Sequence, residues 1–448
     1  MHETIGVARM IAQTVRLDLD HVRQIFGPRG SALLRKGVWG IADQALISAT
    51  NFMTMVLLAR GLGPAAFGAF AVAYTVLLAT NSFQAALITQ PHHLFGATRQ
   101  DDDYVQYTTA VAIGQIGLAL GLAIVVAISA AVAYLAGWSR AAPLLAALAP
   151  IIVAWQFQEF VRRVLYTKTD TRGAFTNDLI SYGGQVLGVA AIWRLGLLTE
   201  MTVLAVLGAT SALASIVGLV QLRSHIDWAV NADRLRAATA EHWRFGKWLV
   251  GSNLVSWTSG QAYPVLIAGL VSVTATGIMR AVSTVLGPGN IVVNALETLL
   301  TPRAATVYAR EGVPAFQTFI RRAAIGVTCL MGGYSLVVAV FAEPILRVLY
   351  GDQYSEYGWL LALVALHYVL ISTRTVASIG LRSMGHTSPI FRAYLCSAAA
   401  TLTVGIVALH TFGLIGAALG ILMNAVITNA VLWRYFRQAL DVRSTMEG

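Results

Sequence analysis

Residues 107–136 read YTTAVAIGQIGLALGLAIVVAISAAVAYLA, thirty positions without one charged side chain. At about 1.5 Å of rise per residue this run exceeds the ~30 Å hydrocarbon thickness of a bilayer, and it lacks the polar face that a helix of a soluble domain carries. It reads as a membrane span. Apolar segments of similar length recur on both sides of it, at 38–59, 66–90, 141–161, 174–195, 201–222, 247–270, 275–300, 323–342, 356–380, 389–411 and 413–433, which makes twelve in all. Over the chain 57% of residues are hydrophobic and 12% charged, where a soluble domain carries about a quarter charged. Little chain is left for a soluble domain.

The charges between the spans orient them. Of the 31 Lys and Arg, 25 fall in the termini and in the loops on their side. Four lie on the opposite side (Arg60, Arg140, Arg194, Arg347), and Arg280 and Arg374 lie within spans. Cytoplasmic loops concentrate Lys and Arg, so both termini are assigned to the cytoplasm. The net charge of +10 is then a property of loops, and nucleic acid is not expected as a partner. Cys329 and Cys396 sit in apolar runs and read as small core residues. The first 37 residues are polar and arginine-bearing, with no short apolar segment before a cleavage site, so no cleavable signal is expected.

The longest interior connection, 223–246, divides the spans into two groups of six. The expected organisation is a cytoplasmic segment 1–37, a six-helix bundle 38–222, a linker 223–246, a second six-helix bundle 247–435 and a tail 436–448. The starts of the halves correspond: Lys36 near Trp39 matches Lys247 beside Trp248, and the first spans end in Gly61-Leu62 and Gly269-Leu270. An even number of spans per half gives both repeats the same orientation, related by a pseudo-two-fold axis along the membrane normal, with a binding site between them. In the first 26 residues Ile5, Ala8, Ala12, Val15, Leu19, Val22 and Phe26 recur in steps of three and four beside Arg9, Arg16 and Arg23. That is the pattern of an amphipathic helix on an anionic lipid surface.

An ionisable residue inside a span costs a few kcal/mol unless it faces a protein interior or a wet cavity. Arg280 and Arg374 are the candidates for binding an anion, because a guanidinium holds a phosphate through two parallel hydrogen bonds. Snorkelling to the membrane surface is the alternative for both. Asp43 and Glu297 are candidates for coupling a cation or proton, or else partners of nearby cations. Glu159 is expected to be solvated or paired, and His367 to be a packing histidine. Asn51, Asn81, Gln84, Asn253, Gln261, Asn290 and Asn294 lie in the first two spans of each half. With Trp39 and Trp257 they suit a cavity lined for sugar, although interhelical hydrogen bonds use the same residues. Asp101-Asp102-Asp103 reads as a solvated loop, and the neighbours His92-His93 do not project together as zinc ligands do. No Gly-rich phosphate loop is present, and no cofactor or metal is implied.

Short stretches at corresponding places carry a resemblance. Leu58-Ala59-Arg60-Gly61-Leu62-Gly63-Pro64-Ala65-Ala66-Phe67-Gly68 resembles the hairpin between the first two spans of Wzx-like bacterial polysaccharide exporters. Leu349-Tyr350-Gly351-Asp352-Gln353-Tyr354, Leu381-Arg382-Ser383-Met384-Gly385-His386-Thr387 and Phe412-Gly413-Leu414-Ile415-Gly416-Ala417-Ala418 resemble that group's loop before span ten, turn after it and start of span twelve. The resemblance runs from about residue 36 to 435. It implies the fold of the multidrug/oligosaccharidyl-lipid/polysaccharide (MOP) exporter superfamily, shared with the MATE drug pumps: two six-helix bundles around a central cavity. It also implies a non-enzymatic flippase of the bacterial inner membrane that carries an oligosaccharide on undecaprenyl pyrophosphate outward by alternating access. Membrane lipids and other polysaccharide-assembly proteins are the partners implied, with the transporter working as a monomer. Two other functions are set beside it: a cation-coupled multidrug exporter of the same fold, needing a carboxylate-lined cavity, and an integral-membrane glycan polymerase or ligase, needing a larger exterior loop.

Overall fold

In hydrocarbon every backbone N–H and C=O has to be satisfied within its own segment, so twelve apolar segments call for an all-helical chain. The computed structural model describes the backbone of residues 2–228 and 231–447 and the side chains of 37–228, 231–258 and 260–441. It is helical throughout, with short turns and no strand among the described residues. The amphipathic reading of residues 1–26 depends on side chains outside the described residues.

Among the described residues seven helices are long and apolar enough to cross a membrane, and three of them hold two spans each. The doubled ones reverse at glycines in the left-handed region, Gly63 (φ 74°), Gly312 (φ 80°) and Gly413 (φ 56°), where a side chain would be strained. Contacts show the reversals. Asp43 and Gln84 would stand ~60 Å apart in a straight helix, yet both bond to the helix Ala141–Thr167, at Arg162 and Gln156. Tyr308 and Phe316, astride Gly312, bring their ring centroids within 5.0 Å. A Cβ at Gly416 would lie 1.8 Å from the carbonyl oxygen of Ala408, across Gly413. Two further spans, 171–194 and 232–270, are interrupted by the π turns Leu179–Gly183 and Trp257–Gln261 and complete the twelve.

In chain order the spans are α1 (37–62), α2 (64–96), α3 (Asp101–Leu135), α4 (Ala141–Thr167), α5 (171–194), α6 (Glu200–Gln221), α7 (232–270), α8 (273–311), α9 (313–340), α10 (Gly358–Ser383), α11 (388–412) and α12 (414–447). Helices α1 to α6 pack on one another, as do α8 to α12. The hydrophobic core runs through both halves, from Leu58, Phe67 and Phe70 in α1 and α2 to Phe316 and Leu360 in α9 and α10. A second cluster around Tyr107, Phe160 and Val164 fills the first half near the face that carries the termini. Helices α5 and α11, each the fifth of its half, both carry a π turn, the second at Thr401–Gly405.

The expected linker 223–246 is in large part helix. The Asn231 side chain caps α7 by accepting a hydrogen bond from the Asp233 N–H (2.8 Å). Ala238, His242 and Gly246 follow at four-residue spacing and are buried, while Arg234, Arg236 and Arg244 are exposed. With about one buried residue per turn this segment has no apolar run, so a search for bilayer-length hydrophobicity passes over it. The buried stripe lies on α2 and α3. His242 bridges Tyr107 (2.7 Å) and the Leu87 carbonyl (2.8 Å), the latter inside the π turn Ala85–Thr89 of α2.

Candidate functional site

The halves approach most closely where α2 crosses α8, near the face opposite the termini. A Cβ at Gly68 would lie 1.9 Å from the Val273 carbonyl oxygen, and one at Gly277 would lie 2.0 Å from that of Pro64. Only hydrogens at these positions let two backbones touch in this way. Gln353, in the turn before α10, adds long hydrogen bonds to the carbonyls of Ala59 (3.5 Å) and Arg60 (3.4 Å). The seam between the halves is therefore shut on this face.

Arg280 stands one turn inward of Gly277. Its guanidinium lies 5.4 Å from the centroid of the Tyr74 ring in α2, and its Nη2 is 4.0 Å from the Met55 sulfur in α1. Its Nε is buried without a hydrogen-bond partner, and no carboxylate pairs with it among the described residues. The ring face is worth about 1 to 2 kcal/mol to a cation, less than a full ion pair in such a place. Tyr350, whose hydroxyl donates to the Ala281 carbonyl (3.0 Å), and Tyr368 also lie within electrostatic reach of Arg280. A cation surrounded by phenol groups and lacking a carboxylate is equipped to receive an anion.

The other predicted residues divide by what they touch. Asn290 donates to the Tyr368 hydroxyl (3.1 Å) and is exposed, so it meets the Arg280 surroundings through that tyrosine. A continuous α8 register does not connect the two, because the helix breaks at Leu286 before Pro288. Asn294 and Gln261 are exposed; Asn51, Asn81 and Trp257 are partly exposed. Asn253 ties α7 to the Ser82 carbonyl of α2 (3.3 Å). Gln84 departs from the expectation of a cavity position. It is fully buried inside the first half, donating to Gln115 Oε1 (3.0 Å) and to the Gln156 carbonyl. Trp39 packs against Phe175 of α5 at 5.1 Å, again within the first half. Glu297 is paired with Arg382 (2.5 Å) near the face carrying the termini, a half-exposed tie between α8 and α10. Arg374 has the Tyr394 ring at 5.7 Å and no ion pair among the described residues.

Asp43 belongs to a network that the sequence does not announce. Arg162 Nε lies 2.6 Å from Asp178 Oδ2, its Nη2 3.4 Å from Asp43 Oδ2 and its Nη1 3.7 Å from Glu159 Oε2. Tyr166 donates to Asp43, Tyr182 to Glu159 (3.0 Å), and Gln158 to Asp178 (2.9 Å). Asp43 and Asp178 are fully buried. One guanidinium faces three carboxylates, of which those of Asp43 and Asp178 are fully enclosed. Acidic groups therefore outnumber basic ones at this point of the first half. Arg162, counted by sequence among loop cations, is its centre. The legible signal was the pair Glu159 and Arg162 three apart on α4, followed by Asn177-Asp178 early in α5. In the second half Arg374 occupies α10, the fourth helix as α4 is in the first, and no carboxylate network surrounds it among the described residues. The repeated halves thus differ in charge.

A family model described as "Polysaccharide biosynthesis protein" matches residues 57–359, more than half of the chain. Among solved structures the chain is similar to a multidrug resistance MATE family transporter of the MOP superfamily in an inward-facing conformation, with 13% identity over 91% of this chain and 100% of that one (TM-score 0.73). It is also similar to the lipid II flippase MurJ in an inward closed conformation, with 13% identity over 90% and 89% (TM-score 0.67). A MOP superfamily transporter from Pyrococcus furiosus, whose report describes a reverse polarity of its binding pocket, aligns at 14% identity over 94% and 98% (TM-score 0.60). A search of curated proteins found no match. These likenesses establish the fold as that of the MOP exporters.

Proposed function

The chain belongs to the polysaccharide biosynthesis protein family, and from that premise we propose that this multi-pass membrane transporter flips an oligosaccharide carried on undecaprenyl pyrophosphate. Movement runs from the leaflet on the side of the termini, in the cytoplasm of a bacterial cell, to the exterior leaflet of the inner membrane. The observation that carries this reading is Arg280: a cation without a carboxylate, one turn inward of the closed glycine seam and surrounded by Tyr74, Tyr350 and Tyr368. The pyrophosphate binds there, and the exposed amides Asn290, Asn294 and Gln261 meet the sugars. A pyrophosphate sugar head cannot cross ~30 Å of hydrocarbon unaided, so the halves rock to open the seam and close the other side. No covalent step is required, and the transporter works as a monomer beside other polysaccharide-assembly proteins. An exporter of amphipathic cations would present carboxylates at the seam, whereas those of Asp43, Glu159 and Asp178 are enclosed within the first half.

Proteoliposomes carrying a labelled lipid-linked oligosaccharide provide the test. The labelled lipid is expected to change leaflet at least about tenfold faster than in protein-free vesicles, with no comparable movement of an amphipathic organic cation. Cation movement without lipid movement would exchange the proposal for the drug-export reading.

The carboxylate network serves as the coupling site in this proposal, with Asp43 taking up the proton or cation whose gradient assists the cycle. Asp43→Asn removes one of three carboxylates while its side-chain oxygen still accepts from Tyr166. Flipping by this variant is expected to become independent of imposed proton and sodium gradients, with normal protein abundance. Gradient dependence equal to the wild type would leave Asp43 a purely structural role.

A further inference from the structure

Two cavities follow the line where the first half of α7 lies on α2 and α3, and Ala238 borders both. The larger, about 540 Å³, is bounded by Arg99, Arg234 and Arg244 and by the rings of Phe95, Tyr107 and Phe245. The smaller, about 160 Å³, is mostly apolar, with Leu87, Ile88, Val111, Leu118 and Trp243 among its walls. The larger lies near the face of the termini, beside the α2–α3 turn and the start of α7, and the smaller continues along α3 as far as Leu118.

The arginines are arranged and only partly neutralised. Arg99 lies flat on Tyr107 (3.7 Å to the ring centroid) and pairs with Glu241 (3.0 Å) and Asp103 (3.4 Å). Arg234 pairs with the same Asp103 (2.9 Å). Arg244 is exposed and makes no ion pair among the described residues. Three guanidinium groups against two carboxylates leave one positive charge. A volume of about 540 Å³ is ample for a small polar head, and the apolar cleft next to it is a place for hydrocarbon. A single positive charge beside an apolar cleft is complementary to a monoanionic phosphodiester that carries an acyl chain.

We propose that this site holds an anionic phospholipid, with its phosphodiester among Arg99, Arg234 and Arg244 and part of an acyl chain along Val111 and Leu118. None of these residues belongs to the Arg280 surroundings or to the Arg162 network, so the lipid is a resident of the α7 contact and is not cargo. Its occupancy holds α7 against the first half.

Native mass spectrometry of the purified full chain with phosphatidylglycerol or phosphatidylcholine tests this. Phosphatidylglycerol is expected to bind at least about tenfold more tightly than phosphatidylcholine, and Arg244→Glu to abolish the preference. Leu118→Trp, which fills the cleft and alters no charge, is expected to weaken both lipids. The melting temperature of lipid-free Arg244→Glu, expected to equal that of the wild type, separates lost binding from lost folding. Equal retention of the two lipids, or an undiminished preference in Arg244→Glu, overturns the proposal. Displacement of phosphatidylglycerol by millimolar inorganic phosphate would make this a soluble-phosphate site, and displacement by lipid-linked oligosaccharide would make it part of the transport path; each also overturns it.

Discussion

Arg280→Ala is expected to lower flipping of lipid-linked oligosaccharide by about a hundredfold, because a bidentate charge-assisted contact contributes roughly 3 kcal/mol. Arg280→Lys keeps the charge and loses the planar fork, so it should retain on the order of a tenth of the wild-type rate. Arg280→Glu should be at least as damaging as Ala, since it brings a negative charge to the anion. Stability is expected to respond differently. Removing Arg280 orphans no carboxylate and relieves a buried Nε that has no partner, so the melting temperature of the Ala variant should equal or exceed that of the wild type. Flipping in vesicles, normalised to folded protein, measures the first effect and thermal unfolding the second. Full activity of Arg280→Ala at normal abundance would mean that the guanidinium only anchors α8 in the membrane, and the search for the anion site would move to Arg374.

Gly277→Leu is expected to have an effect as large, by a different route. In the wild type the α8 backbone touches α2, and even a methyl at Gly277 would come within 2.0 Å of the Pro64 oxygen. Restoring an ordinary contact requires the helices to part by roughly 1.5 Å for Ala and by several Å for Leu. The seam opposite the termini then cannot close, and a transporter open on that face cannot complete a cycle. Flipping should fall at least tenfold in Gly277→Leu and less in Gly277→Ala. Spin labels at positions 66 and 272, in a background lacking Cys329 and Cys396, should report a separation several Å greater in the Leu variant. An unchanged distance together with wild-type flipping would show that the glycine contact is incidental to transport.

Much of the architecture could be read along the chain. Residues 107–136 define a span because lipid imposes a length and an apolarity that one segment satisfies by itself. The reversals at Gly63 and Gly413 lie within the glycine-bearing stretches quoted for the family resemblance. The third, at Gly312, falls among the arginines that the charge count assigned to a loop. Arg280 is also legible, since a lone cation in an apolar run is conspicuous without any knowledge of its neighbours.

Side-chain partners were not legible, and the Arg162 network shows why. Its members come from α1, α4 and α5, and whether three helices turn their polar residues to one point depends on each helix's rotation about its axis. A π turn inserts one residue and turns everything beyond it by about 100°, so the breaks in α2, α5, α7 and α11 erase the face assignments that a 3.6-residue period would give. Gln84 bonds to Gln115 and to the Gln156 carbonyl inside its own bundle, and residue type alone does not separate such an interhelical bond from a cavity position. The first half of α7 escaped notice for a related reason: its one buried residue per turn has meaning only against α2 and α3. By itself the sequence determined what each segment requires of its solvent, hence the spans, their charge asymmetry and the doubling of the halves. The tertiary structure alone decided which polar groups meet, because a buried charge is stabilised by partners that lie far away in the chain and close in space.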